Sequence, residues 1–446
     1  MKLMKKKVCQ MVWNHFTNDA RVLRECTSLV EAGYDVTLVA IDDPNDEKVK
    51  RREIKDGINI VRVKRYPSHY IFTRKVLRRV KEFKILLLPL IIIYLALLYF
   101  SKILGILALL YMAFMMNGTL RGIMLKCHIA LHMTYHGFKA NGDIYHSNDL
   151  NTLPQGYICS KLRRTPIIYD SHEVQSSRTG YNEKTVKFFE GFFVKRVNKM
   201  IMTTDTRAEY VSNLYKIEKP AVIHNYPFYT GDKSIKNKID LHNICDIDKD
   251  EPILLYQGGI QQGRGLEQIV KAIPKFKKGI VVFIGDGKIK NNLKKLVEDT
   301  GVSNRVRFID KVPVDELKYY TASAYLGFQV LNNVCFNHYS ALSNKLFEYI
   351  MSEVPVVACS FPEISRVVRD GEIGICVDSE NPSSIARGVN TLLDDIGHYE
   401  LFKKNCKKAK EIYNWDNEKR LFVNIYDEIL KDKINNQIYT KELNEV

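Results

Sequence analysis

A chain of 446 residues exceeds one ordinary hydrophobic core and suits two α/β domains, and 46% hydrophobic content can fill both. Charged residues make up 26% and are dispersed, which excludes wholesale disorder. The formal net charge of +16 points to nucleic acid, an anionic membrane surface or anionic substrates, and no zinc finger, RNP-like aromatic motif or basic-region zipper supports the first.

In chain order, Met1 to Lys7 is basic, and the apolar run Val8 to Val12 is too short for a signal-peptide core. It reads as a basic lead-in to a first buried strand, and the catalytic part is expected to stay in the cytoplasm. After the polar loop Asn14 to Asp19, Val22, Cys26, Leu29 and Val30 recur at helical spacing until Gly33, and Val36 to Ile41 forms the next strand. This opening is what a doubly wound sheet requires. Residues 85–116 interrupt it with two nearly continuous apolar runs, Ile85–Phe100 and Ile103–Met116, separated by Ser101-Lys102. Arg74, Lys75, Arg78, Arg79, Lys81 and Lys84 precede them. A buried helix pair is one reading, but a core helix normally keeps a polar face. α/β units on both sides must join one sheet, so a single membrane span is excluded. The segment is expected to lie in the interface or to enter and return as a hairpin, bent at Pro89 and at Ser101-Lys102, with its cations against anionic headgroups.

The strand–helix alternation resumes with strands at Asp143–His146, Ile167–Tyr169, Met200–Thr203 and Val222-Ile223. Residues 228–250 are polar and read as a linker. A second doubly wound domain comes next, with strands at Ile253–Tyr256, Gly279–Ile284, Val306–Ile309, Leu326–Val330, Val354–Ala358 and Ile375–Val377. Its helices are expected at 266–273, 289–298, 343–352 and 382–393, with a closing helix at 416–430. The domain reading is therefore 1–227, a linker at 228–250, 251–415, and a C-terminal helix and tail at 416–446. Nine scattered cysteines with no CxxC pair argue against a disulfide framework or structural zinc and fit a reducing compartment. His128, His132 and His136 recur every four residues, which reads as one face of an amphipathic helix rather than a metal site.

Ligands of open parallel sheets bind at the carboxyl ends of the strands, where the polar clusters fall. Ser343 to Tyr349 places an N-cap candidate, Lys345 in the first turn and Glu348 one turn on; the helix start offers free amides to a phosphate. An exposed Lys–Glu pair is the plainer alternative. Gly258 to Gly265 combines glycines that permit close backbone approach with Arg264, which can hold a phosphate bidentately; a simple turn with an exposed Arg is the alternative.

Four segments resemble the large GT-B family of retaining glycosyltransferases known as family 4: Asn18 to Glu25, Tyr145 to Pro154, Tyr256 to Gly265, and Ser343 to Val357. Tyr169 to Glu173, His224 to Pro227, Phe283 to Gly287 and Ser360 to Glu363 add to the likeness, in the family's order. The resemblance implies two Rossmann-like domains facing a cleft; the apolar segment lies outside the likeness and reads, from its own pattern, as a membrane-associating insert in the first. It implies that Glu348, at the second Glu of an E-x7-E element, holds the donor ribose. Arg264 would hold the donor diphosphate, with Gly258, Gly259, Ser343, Asn344 and Lys345 in the loops around phosphate and sugar. Asp149 and His172 match positions near the reacting sugar, and Asn18, Asp19, Arg21 and Asn148 match acceptor-side positions. The sequence departs from the family at Ser340, where the first Glu would fall, at Gly259, where an Arg is common, and at Asn148, where a His is frequent.

The resemblance further implies transfer of a sugar from a nucleotide-diphosphate sugar, with retention and without metal or other cofactor, and the apolar insert points to a membrane-linked glycan or lipid as the acceptor. The setting would be surface polysaccharide synthesis at the cytoplasmic face of the membrane. A non-catalytic nucleotide- or glycan-binding scaffold of the same fold is the alternative. A dinucleotide oxidoreductase is disfavoured because no complete GxGxxG follows an opening strand.

Overall fold

The computed structural model describes residues 5–178, 180–229, 231 and 236–444, and side chains up to residue 432. Parts of three expected segments thus lie outside the described residues: 1–4 of the basic lead-in, 230 and 232–235 of the linker, and 445–446 of the tail. The chain divides into two compact units. One comprises Met1–Asp170, Arg196–Asn198 and Lys433–Val446, the other Ser171–Lys195 and Lys199–Asp432.

The first unit is built on β1 (Lys7–Met11), β2 (Asp35–Ile41), β3 (Arg52–Lys55), β4 (Ile58–Val63), β5 (Ile144–Asn148) and β6 (Ile167–Ser171), in the order β3-β4-β2-β1-β5-β6. All neighbours are parallel except β3 and β4, which form a hairpin. Its turn residues Asp56 and Gly57 both have positive φ, 50° and 76°, as a two-residue hairpin turn of matching twist requires. The order reverses between β1 and β5, so the carboxyl ends of these two strands flank a switch point. The apolar runs of β1 and β2 are buried on both faces, as covered parallel strands should be.

Between β4 and β5 stand the helices Ser68–Glu82, Leu87–Phe100, Lys102–Met116 and Gly118–Ala140. The break at Ser101 is real: its side chain caps the next helix by accepting from the Leu104 amide at 3.3 Å. Pro89 does not bend the chain, because it falls in the first turn, where its missing N–H costs nothing. The buried-pair reading does not hold: Ile85, Tyr99, Phe100, Ile103 and Met116 are all more than 70% exposed. Among the described residues no single helix is long and apolar enough to cross a membrane. Lys102–Met116 and Gly118–Ala140 reach that length and composition only together, and they are bent by 92°. The His128 and His132 rings lie with centroids 4.4 Å apart, tilted by 57°, along the last of these helices.

The second unit holds the parallel pair β7 (Lys199–Met202) and β8 (Ala221–Val222) and a six-stranded parallel sheet. That sheet contains β9 (Ile253–Gln257), β10 (Ile280–Ile284), β11 (Val306–Ile309), β12 (Leu326–Gln329), β13 (Val356–Cys359) and β14 (Gly374–Val377), in the order β11-β10-β9-β12-β13-β14. This is the doubly wound arrangement, with its switch point between β9 and β12. Alternate side chains feed two cores. Leu254, Tyr256, Leu326 and Phe328 face one, and Ile253, Leu255, Leu346, Phe347 and Tyr349 the other. The helix Trp415–Asn444, longer than expected, buries Trp415, Phe422 and Tyr426, and its Glu418 accepts from the amide and pairs with the ring Nδ1 of His224.

Candidate functional site

At the switch point of the second sheet, the turn after β9 and the loop after β10 meet. The Gly258 amide donates to Ile284 O and the Ile260 amide to Asp286 O, both at 2.9 Å. Glycine is required here: a Cβ on Gly285, whose φ is 147°, would stand 2.0 Å from the Gly258 carbonyl oxygen. Further along the turn, Gly263 and Gly265 have φ of 78° and 72° and present Arg264 between them. Asn332, just beyond β12, clamps this segment: its amide donates to Gly263 O and its Oδ1 accepts from the Gly265 amide at 3.1 Å.

The helix Asn344–Met351 brings its amino end to the same place. Ser343 is the N-cap residue, yet its side chain makes no capping bond, so it does not occupy the first-turn amides. Asn344 is held by Asn225, whose Nδ2 donates to its Oδ1 at 2.9 Å. Lys345 is buried, with Nζ 4.0 Å from the centroid of the Tyr256 ring and next to the position a Gly258 Cβ would take. Its ammonium is pulled down to about 7 by burial and then by the nearby Arg264 charge, against the pull of Glu348. Glu348 accepts from Gln257 Nε2 at 2.6 Å. Burial raises its carboxyl, while Gln257 and Lys345 oppose the rise.

The structure therefore gathers Gly258, Gly259, Arg264, Ser343, Asn344, Lys345 and Glu348 around one strand end in one unit, and in place of an exposed Lys–Glu pair it has a buried Lys345 and a half-buried Glu348. Two cations, open amides and a carboxylate suit a phosphate ester joined to a hydroxylated group. At Ser340, Oγ accepts from the buried Arg207 Nε at 3.2 Å and donates to Phe336 O. Arg207 also donates to the backbone oxygens of His172 and Asn337, so Ser340 belongs to a structural junction.

Sequence reasoning missed Gln257, Thr321, Gln329, Asn332 and His338. His338 Nδ1 lies 3.2 Å from Asn332 O, and burial followed by the Arg264 charge lowers its pKa. Gln329 ends β12 fully buried, and neither atom of its amide has a hydrogen-bond partner among the described residues. The signal available was position: each stands at or just past a strand or helix end beside the glycine turn.

The remaining residues fall around the switch point of the first unit or, for His172, just after β6 in the second. Asn18 is exposed. Asp19 caps the helix Ala20–Glu31 through the Val22 amide and takes a bond from Asn14 at 2.7 Å. Arg21 points inward, 4% exposed, bonded to Asp170 at 2.8 Å and to Glu25 at 2.9 Å. Burial works against its charge, but Asp170 and Glu25 more than offset that. Glu25, His146 and Asp170 place three ligand-type atoms within 4.8 Å of one another, but Arg21 already supplies the positive charge this cluster needs. Asn148 is buried, with Nδ2 donating to Met11 O at 3.1 Å. Asp149 sits at φ 60°, an uncommon conformation for a residue with a side chain, held by its amide bond to Asp170 O at 2.8 Å. Asp149 and His172 thus belong to different units.

The chain is similar to known glycosyltransferases. Residues 237–409 match the family model for Glycosyl transferases group 1. An uncharacterized glycosyltransferase of Methanocaldococcus jannaschii is 27% identical over 297 residues, covering 64% of this chain and 75% of the relative. The lipopolysaccharide core biosynthesis glycosyltransferase LpsE of Rhizobium meliloti is 26% identical over 203 residues, 46% of this chain and 56% of its own. HepE of Anabaena, solved in complex with UDP-glucose, shares the fold with a TM-score of 0.66 at 12% identity, over 95% of this chain and 99% of that one. With its two α/β sheets and these matches, the chain is a hexosyl-type glycosyltransferase of the GT-B fold.

Proposed function

We propose that this enzyme moves a sugar from a nucleotide-diphosphate sugar to a membrane-linked glycan or lipid in surface polysaccharide synthesis, with retention of configuration and without a metal. The observation that carries the donor half is the convergence of Lys345, Arg264 and an uncapped helix start on one strand end beside Glu348. Lys345, Arg264 and the first-turn amides stabilise charge on the departing diphosphate, and Glu348 accepts from the ribose hydroxyls. The diphosphate leaves on the face that the acceptor hydroxyl approaches. Asp149 and His172 serve the reacting sugar, and Asn18, Asp19, Arg21 and Asn148 form and support the acceptor side. The LpsE relative is named for lipopolysaccharide core biosynthesis, which favours a glycan acceptor here.

The membrane half rests on the exposed apolar helices Leu87–Phe100 and Lys102–Met116 behind six cations of the preceding segment, Arg74 to Lys84. On this reading the enzyme works on the cytoplasmic face, monotopic or held by a hairpin.

Thermal shift against a panel of nucleotide sugars identifies the donor, since binding at 100 times Kd adds about 2.7 kcal/mol of apparent stability. With that donor, Glu348→Ala is expected to lower turnover by about 100-fold or more, the scale of losing a group that fixes the substrate. Unchanged turnover would remove the assignment of this site. Binding without turnover by the wild-type chain, across donors and acceptors, would favour the scaffold reading.

A further inference from the structure

We propose that Gln257 and Thr321 are positioning residues that set Glu348 for recognition of the donor's vicinal diol. The inference rests on the donor-site reading above. Gln257 is the last residue of β9 and is fully buried. It has the parity of Ile253 and Leu255, so it points to the face covered by the helix Asn344–Met351. Thr321, also fully buried, is the last residue of the helix Val314–Thr321. Its Oγ1 lies 2.7 Å from Gln257 Oε1 and 2.8 Å from Leu317 O. Gln257 Nε2 lies 2.6 Å from Glu348 Oε2.

The order of these bonds is forced by donor and acceptor count. An ionised carboxylate only accepts, so Gln257 must turn its NH2 to Glu348. Its oxygen then faces Thr321 and needs a donor, which the hydroxyl provides. With the amide reversed, two oxygens would oppose each other at 2.6 Å in a buried site. Glu348 thus selects the amide orientation, the Thr321 hydroxyl, shared with Leu317 O, anchors the amide oxygen, and the anchored amide in turn holds the Glu348 rotamer. The bond to Glu348 is short and charge-assisted, and it supports the ionised form that burial disfavours. It engages one carboxylate oxygen, and the diol requires the other in a fixed direction. A strand end and a helix end, both rigid, hold the relay, which is how a binding carboxylate keeps its aim without a loop contact.

The test uses the full chain and compares UDP with 2′,3′-dideoxyuridine diphosphate, repeated with the guanine and adenine pairs so that one binds, and reads Kd for each. The wild-type chain should prefer the diol-bearing nucleotide. Gln257→Leu and Thr321→Val should reduce that preference by about tenfold, with the dideoxy nucleotide bound as before. Thr321→Ser keeps the hydroxyl and should restore it. In turnover, Gln257→Leu should raise the donor KM more than it changes kcat. Thr321→Val and Thr321→Ser separate the hydroxyl from packing if Gln257→Leu does not fold. If the Leu and Val variants keep the wild-type preference while Glu348→Ala loses it, the relay is wrong and the donor site stands. Equal losses in Thr321→Ser and Thr321→Val would also overturn it. If Glu348→Ala keeps the preference, or no nucleotide binds the wild-type chain, the donor-site reading falls and the relay with it.

Discussion

The Lys345 ammonium lies over the Tyr256 ring, 4.0 Å from its centroid, with Arg264 close enough to push its pKa down and Glu348 pulling it up. Burial is the larger cause, and the result is about 7 against an ordinary 10.5. Two pH dependences arise from this, with opposite signs. Between about 7 and 10.5 the unfolded chain holds a proton on this lysine that the folded chain has lost, so the stability of the free protein rises with pH across that window. A bound diphosphate favours the charged amine, so binding takes up a proton, and donor affinity falls as pH rises above about 7. Lys345→Met should flatten both slopes, read by thermal melts and by donor titrations at several pH values. A pH-independent difference between wild type and variant would show that Lys345 does not titrate here.

At the scale of elements, the site depends on two glycine loops that touch. Gly285→Ala would set a Cβ 2.0 Å from the Gly258 carbonyl oxygen at a φ of 147°, so the two loops must part. We expect a loss of about 3 kcal/mol in denaturant unfolding together with loss of donor binding, because strain and a broken loop pairing add. Gly122→Ala, with open space at its Cβ, is the control and should change little. The same loops show what the sequence disclosed. Glycine, lysine and the helix start were legible because each advertises a backbone or charge requirement in its own identity. Gln257 and Thr321 were not, since a glutamine at a strand end acquires meaning only from the parity of β9 and the helix end opposite. Arg21 reads as an acceptor-side position, yet it is buried because Asp170, far away in sequence, meets it through the order of β1, β5 and β6. The hairpin β3–β4 had its signal in Asp56-Gly57 but fell in a stretch too polar for a buried-strand pattern. Strand positions in the second sheet came within about two residues, because continuous apolar runs bounded by glycines leave little choice.

At the scale of the whole molecule, the helices Leu87–Phe100 and Lys102–Met116 expose apolar side chains almost throughout. Leaving so many leucines and isoleucines in water is costly, at about 25 cal/mol per Å² of apolar surface. A lipid interface removes that cost, and Arg74, Lys75, Arg78, Arg79, Lys81 and Lys84 would each add about 1 kcal/mol near anionic headgroups. The two contributions respond differently to conditions, which makes the proposal testable in parts. In flotation assays the full chain should rise with vesicles containing anionic lipid and less with neutral ones. Raising ionic strength should weaken only the headgroup contribution, since screening shortens the reach of the cations to about 3 Å at 1 M salt. Neutralising the six cations should reproduce the high-salt result on anionic vesicles. Deleting residues 85–116 should abolish flotation while donor binding by the second unit persists. A full-length chain that stays dispersed without detergent and ignores both kinds of vesicle would leave these helices to another partner.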